Sequence, residues 1–201
     1  MYEYADKVIL YMKKRFIRLF NQFKSQVSFE ELNVLQSARS LYEEMEKIVE
    51  ESFLLIAKQA YKDNDGTAPD TITAAWLLDL LEEYDPVTKY VYLHEIERKC
   101  SRFAESVLAS ANKTQEINTA LRYWSNMVSQ YAIEVTDRVA LQAYIDRGAE
   151  KVLWVTVKDE KRCKECRARD GQVYDIEKVP PKPHIGCRCF LLPYFGGAYD
   201  E

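Results

Sequence analysis

Apolar positions recur every three to four residues along most of this chain and switch to a strand-like composition only near residue 151. That change predicts a set of helices followed by a small strand-rich unit. Between about Tyr4 and Lys24, the residues Tyr4, Val8, Tyr11, Leu19 and Phe23 fall on one helical stripe, flanked by Phe16 and Phe20. Ser28-Phe-Glu-Glu31 has the spacing of a capping box and opens a second helix. Its stripe runs through Leu32, Leu35, Ala38, Leu41, Met45, Ile48, Val49, Phe53 and Ile56 to the polar breaker Lys62-Asp-Asn-Asp-Gly66. At 1.5 Å per residue such a helix is roughly 50 Å long.

Asp70 is expected to cap a third helix reaching Glu83, with Ile72, Trp76, Leu77 and Leu80 inward. Asp85-Pro86 signals a fourth start, whose stripe holds Tyr90, Leu93, Glu97, Cys100, Phe103 and Val107. A last long helix is expected from about Thr114 to Arg147, with Ile117, Leu121, Trp124, Val128, Tyr131, Val135, Gln142 and Ile145 near one face. Gly148 then follows as a stop. Beyond it, Lys151-Val-Leu-Trp-Val-Thr-Val157 is β-branched and aromatic, and Asp170-Gly171 is a turn dipeptide. Gln172-Val-Tyr174 can return as a strand, and Phe190-Leu-Leu-Pro193 forms a last short one. The expected fold is mainly α: a helical bundle over 1–148, then a small β-rich module over 149–201.

Of the six prolines, Pro180, Pro181, Pro183 and Pro193 lie in this last module, so the helical part is nearly free of breakers. The chain carries a formal charge of -4, unevenly spread. Residues 151–193 hold ten Lys and Arg against six Asp and Glu, a local balance of +4. A basic tail suggests an acidic partner, protein or nucleic acid, and the basic residues of the first helix extend that reading. No export signal or stretch of 18 apolar residues is read in the sequence, so a reducing cytoplasm and no membrane span are expected.

In that compartment the cysteine pattern carries the chemistry. Cys163-x-x-Cys166 is followed, 17 residues on, by His184-x-x-Cys187-x-Cys189. Zn²⁺ takes four thiolate or imidazole ligands in a tetrahedron, and two close pairs separated by a loop supply them. Five candidates compete for four places. Side chains two apart on an extended strand point to opposite faces, so one of Cys187 and Cys189 is expected to be left out. The favoured set is Cys163, Cys166, His184 and one of Cys187 and Cys189; an all-cysteine set without His184 is the alternative. One structural Zn²⁺ is expected, because so small a unit buries too little apolar surface to order itself.

No catalytic residues are expected. His94-Glu95 begins like a zinc-protease motif, but the second histidine's place is Arg98. It also begins like a zinc-deaminase motif, but the acid's place is Ile96. His94 is therefore read as structural, and Cys100, on an apolar stripe, as a buried thiol.

Trp154-Val-Thr, Cys163-x-x-Cys166, Asp170-Gly171, His184-x-x-Cys187-Arg-Cys189 and Leu191-x-Pro193 together resemble the C-terminal domain of phage minor head proteins, the Mu F-like family. Ile185 stands where that family commonly has proline, which leaves the ligand positions intact. The run Tyr84-Asp-Pro-Val-Thr-Lys-Tyr90 with Glu95-x-Glu97-Arg-Lys99 is similar to minor capsid proteins of prophages in low-GC bacteria. The resemblance implies a non-catalytic virion protein made in the bacterial host cytoplasm, acting in head morphogenesis. It implies portal or capsid proteins as partners, with packaged DNA as a further one. Some relatives carry toxin or ADP-ribosyltransferase domains beyond this module, and none is expected in the eight residues after Pro193. A zinc-dependent nucleic-acid-binding module is the alternative function, and a zinc hydrolase would require an open coordination position.

Overall fold

The computed structural model describes residues 2–65, 70–84, 96–158, 162–184 and 187–196. Among the described residues, five helices make the body: α1 (Glu3–Gln26), α2 (Glu31–Asp65), α3 (Ala74–Tyr84), α4 (Ile96–Ala109) and α5 (Lys113–Asp146). The tail adds β1 (Lys151–Val155), a short helix α6 (Lys164–Arg169), β2 (Val173–Asp175), a 3-10 turn (Ile176–Lys178) and β3 (Phe190–Tyr194). The architecture is mainly helical with one small antiparallel sheet, as the change of period implies. Asp85-Pro86, Tyr90, Leu93, His94 and Ile185 lie outside the described residues.

The long helices α1, α2 and α5 pack on one another, and α4 packs against α2 and α5. The bundle core centres on Met12, Phe16 and Phe20 of α1, all fully buried, with Val34, Phe53 and Ile56 of α2 and Val135 and Val139 of α5. Phe103 of α4 joins Phe23 and Tyr42 with ring centroids 5.3 and 5.7 Å apart. Cys100 is buried in this cluster as expected, and burial pushes its thiol up to about 11.

Several details differ from the periodic reading. In α1 the buried stripe is rotated: Tyr11 is 49% exposed, and Phe16 and Phe20, expected as flanks, are the centre. A stripe through Met12, Phe16 and Phe20 meets both α2 and α5, which a single-helix pattern cannot reveal. In α2, Leu32 and Leu35 are exposed at 70% and 41%, because the covered stripe there runs through Val34 and Ala38, both fully buried. The Ser28 amide is held by the Asn33 side chain at 2.9 Å, the part that Glu31 was expected to play. The third helix starts later than expected: Thr73 Oγ1 accepts from the Trp76 amide at 3.2 Å, and Asp70 stands outside it. Ile72 and Leu77, both buried, then take the positions of a hydrophobic staple.

The stop of α5 directs the tail. Gly148, at φ +80°, donates to Ile145 O (2.8 Å) and Ala149 donates to Tyr144 O (2.9 Å). This is the Schellman arrangement, which satisfies two end carbonyls and turns the chain back. The chain then enters β1, the centre of a sheet ordered β2-β1-β3, antiparallel on both sides. Val152 and Trp154, two apart and nearly inaccessible, face Ala140, Leu141 and Tyr144 of α5 in a second core. Thus α5 serves the bundle with one face and the sheet with another. Its buried positions accordingly leave the single stripe expected: Ala140, Leu141 and Tyr144 are covered, and Ile145 is not.

Edge strand β3 is protected on its outer side. Trp154 sends its own amide to Gln172 O on the β2 side, so its partner Leu191 presents its backbone outward. The Leu191 carbonyl is met by the Tyr144 hydroxyl at 3.1 Å, and the alternate position is Pro193, which has no donor.

The rotated stripe of α1 gives a direct test. Phe16→Ala is expected to cost about 3–5 kcal/mol by chemical denaturation, as for other large-to-small core changes. Tyr11→Ala is expected to cost under about 1 kcal/mol, whereas a stripe centred on Tyr11 would reverse that order.

Candidate metal centre

The ligand-bearing residues sit on three short segments around β1. Cys163 is the N-cap of α6, and its sulfur accepts from the Cys166 amide at 3.3 Å. That turn sets two sulfurs side by side, the geometry a Cys-x-x-Cys pair needs. Asp170, after α6, fastens the turn to the sheet: its Oδ1 accepts from the Thr156 amide (2.9 Å) and its Oδ2 pairs with Arg162 (3.2 Å). Thr156 Oγ1 donates to the Cys166 carbonyl at 2.9 Å. Gly171 then takes φ +77° and returns the chain into β2, with its amide bonded to Trp154 O at 2.9 Å. The third segment, Pro180 to Cys189, brings His184, Cys187 and Cys189 back beside the first pair.

All five candidates therefore converge, although Cys163 and Cys189 are 26 positions apart in sequence. They form two overlapping groups, Cys163–Cys166–His184 and Cys166–Cys187–Cys189, each with its donor atoms within 4.8 Å of one another. Cys166 belongs to both. Its sulfur lies 3.5 Å from His184 Nε2 and 3.7 Å from the Cys187 sulfur. Two sulfurs bound to one tetrahedral Zn²⁺ lie about 3.8 Å apart, and a sulfur and an imidazole nitrogen about 3.6 Å. Both observed separations are thus edges of such a tetrahedron, and the cluster could hold a metal ion. Cys166, Cys187 and Cys189 are buried, Cys163 is half-buried and His184 is exposed.

The thiols are unlike one another. Burial, then the neighbouring sulfurs, push Cys166 well up, and burial also raises Cys187. The Cys166 amide lowers Cys163, as a hydrogen bond to a thiolate should. Burial alone would raise Cys189, but hydrogen bonding from Thr156 and the other sulfurs outweighs it and the net direction is down. The Cys189 sulfur is 3.4 Å from Thr156 Oγ1. The Trp154 Nε1 is buried without a hydrogen-bond partner among the described residues, and the sulfur of Cys189 is the group its N–H favours as a thiolate. All five cysteines are free of disulfides.

A second set of polar side chains surrounds the returning segment and carries no signal in the sequence. Lys182 and Asp137, only 13% and 14% exposed, form an ion pair at 2.7 Å. The Tyr2 hydroxyl accepts from Lys182 at 2.7 Å and shares its proton between Asp137 Oδ1 (2.6 Å) and the Cys189 carbonyl (2.9 Å). Burial, then the adjacent carboxylate, push the Tyr2 phenol far up, so it stays a donor. Burial also raises the Asp137 carboxyl, against the pull of Lys182. Residues 2, 137 and 182 follow no shared periodicity, so only the folded chain brings them together.

No grouping of acids and histidines of the catalytic kind emerges beside the cysteine cluster among the described residues. No described helix is long and apolar enough to cross a membrane. No curated protein and no solved structure matches the chain. Residues 101–192 do match a family model, described as Phage Mu protein F like protein. The match starts inside α4, takes in all of α5 and ends within β3, so it contains both the cysteine cluster and the helix that supports it. Over residues 101–192, the tail of this chain and the helix it rests on are thus similar to the Mu F-like phage proteins.

Proposed function

We propose that this protein is a structural minor head protein of a phage or prophage, acting in head morphogenesis through contacts with portal or inner capsid proteins. The observation that carries the reading is the family match over the very segment that folds around the cysteine cluster. A virion location follows from that family, with synthesis in the host cytoplasm before assembly. The long helices supply extended surface for protein contacts, which supports a scaffolding role. The chain divides into a helical bundle over 1–148 and a zinc-binding module over 149–201 that docks on α5.

Within the module, Cys163, Cys166, His184 and Cys187 hold one structural Zn²⁺, with Cys189 as the fifth candidate. Cys166 bridges the set by its distances to His184 and Cys187. Cys189 instead faces Thr156 and lies on the sheet side of the cluster. A bound ion would neutralise thiolates packed together at low dielectric and close the loop between α6 and β3. Structural zinc contributes roughly 10 kcal/mol or more to small units of this kind near neutral pH.

A second reading, binding of packaged nucleic acid, is favoured by one observation: Lys164, Arg167, Lys178 and Arg188 of the basic tail are all exposed.

Elemental analysis of reduced protein is expected to give one zinc per chain. Cys163→Ser, Cys166→Ser or Cys187→Ser should abolish tight binding, and Cys189→Ser should retain it; retention in Cys166→Ser would refute the shared-ligand arrangement. Chelation at neutral pH should remove the near-ultraviolet signal of Trp154 and leave most helical ellipticity in place. Acidification should release the ion as ligands take up protons. Co-expression with portal and capsid proteins of the same phage should yield a complex, and particles assembled without this protein should be defective. Duplex DNA, if bound, should be lost steeply with added salt, with a log–log slope of about -0.9 per phosphate contact; no binding at low salt would remove the second reading.

A further inference from the structure

The knuckle that supplies His184, Cys187 and Cys189 has little secondary structure of its own: β3 begins only at Phe190. Ligands on such a segment must be held by something else if they are to meet the Cys163–Cys166 pair without a large ordering cost. The structure shows what holds them. Lys182 directs its ammonium toward Asp137 Oδ2 (2.7 Å), the Tyr2 oxygen (2.7 Å) and, at 3.5 Å, the Cys187 carbonyl. The Tyr2 hydroxyl reaches the Cys189 carbonyl at 2.9 Å. Two of the knuckle's own backbone carbonyls are therefore gripped by one buried polar unit. The Lys182 ammonium also sits 4.8 Å from the Tyr2 ring centroid, so ring and charge attract as well.

We propose that Tyr2, Asp137 and Lys182 are positioning residues of the metal centre. They form a clamp that presets the knuckle, so that metal affinity depends on a tyrosine 180 residues ahead of Lys182 and outside the module. The inference rests on the cysteine cluster being a metal site. Asp137 is fixed on the rigid helix α5, Tyr2 is the N-cap residue of α1, and Lys182 lies between Pro181 and Pro183, whose rings limit the backbone around it. Tyr2 and Asp137 thus belong to two different helices, and Lys182 to the proline-flanked lead into the knuckle, so their junction leaves the knuckle few alternatives. Linkage makes the effect reciprocal: a bound ion that orders the knuckle also holds Tyr2 in the clamp and steadies the first turn of α1, where the Asp6 amide bonds to the Tyr2 carbonyl at 2.8 Å.

The test uses the full chain, Zn²⁺ in competition with a chromophoric chelator, and Co²⁺ as a spectroscopic probe of ligand geometry. Tyr2→Phe keeps the ring and removes only the hydroxyl. The double variant Asp137→Asn/Lys182→Met removes the ion pair without leaving a lone buried charge. Each is expected to weaken Zn²⁺ binding by about 10–100-fold, the usual effect of losing an outer-shell partner. Val139→Ala, deep in the bundle, lowers stability without touching the knuckle and should leave affinity within about twofold of wild type. Zn²⁺ should slow hydrogen exchange at the Asp6 amide in wild type and much less in Tyr2→Phe. Wild-type affinity in both clamp variants, with a normal tetrahedral Co²⁺ spectrum, would overturn the clamp and leave the metal site standing. Absence of metal binding by the wild-type chain would instead sink the metal reading and this inference with it.

Discussion

The tail of this protein is organised around the sulfur of Cys166. Its core contains ten buried residues, three of them cysteines, and three more, Ala140, Leu141 and Tyr144, are borrowed from α5. Val152, Trp154 and Leu191 are the large aliphatic and aromatic groups that the strands themselves bury there. That is too little apolar area to offset the ordering of some forty residues. Buried cysteines occupy the centre where a larger domain would have leucines. Asp170 and Thr156 spend their hydrogen bonds on fixing the turn that presents Cys163 and Cys166.

A tail so built gains order from the body it rests on. The end of α2 and the end of α5 are tied together through Tyr61 to Asp146 (2.6 Å) and Arg147 to the Asn64 carbonyl (2.7 Å). Tyr144 then joins that junction to the sheet, contacting Asn64 Oδ1 at 2.8 Å and the Leu191 carbonyl at 3.1 Å. Such mixed helix–sheet packing accounts for the extent of the family match, which begins in α4 and not at the first strand. The matched segment takes in the cysteine cluster together with its supporting helix.

This construction has a mechanical sense. Long helices give rigid reach, and a compact tail fixed to them at several points presents its exposed cations in a constant orientation. Lys164, Arg167 and Arg188 are exposed, while Lys182 is turned inward and paired with Asp137. The basic excess of the tail is therefore divided between an outward surface and an internal ion pair, a division that the net charge conceals.

Helix and strand content, the helix stop at Gly148 and the gathering of Cys163, Cys166, His184, Cys187 and Cys189 into a cluster that could hold a metal were legible in the sequence, because each is set by local periods, backbone conformation or short spacing. Leu32, Tyr11 and Ile145 were misplaced because periodicity says that a helix has a buried face but not which way its neighbours turn that face. Asn33 and Thr73 replaced the expected caps because several side chains near a helix start compete for the same few amides. The overlap of the two ligand groups on Cys166, and the meeting of Tyr2, Asp137 and Lys182, were decided only in three dimensions. Contacts between residues so far apart depend on how helices pack and where the chain returns, and no local pattern encodes either.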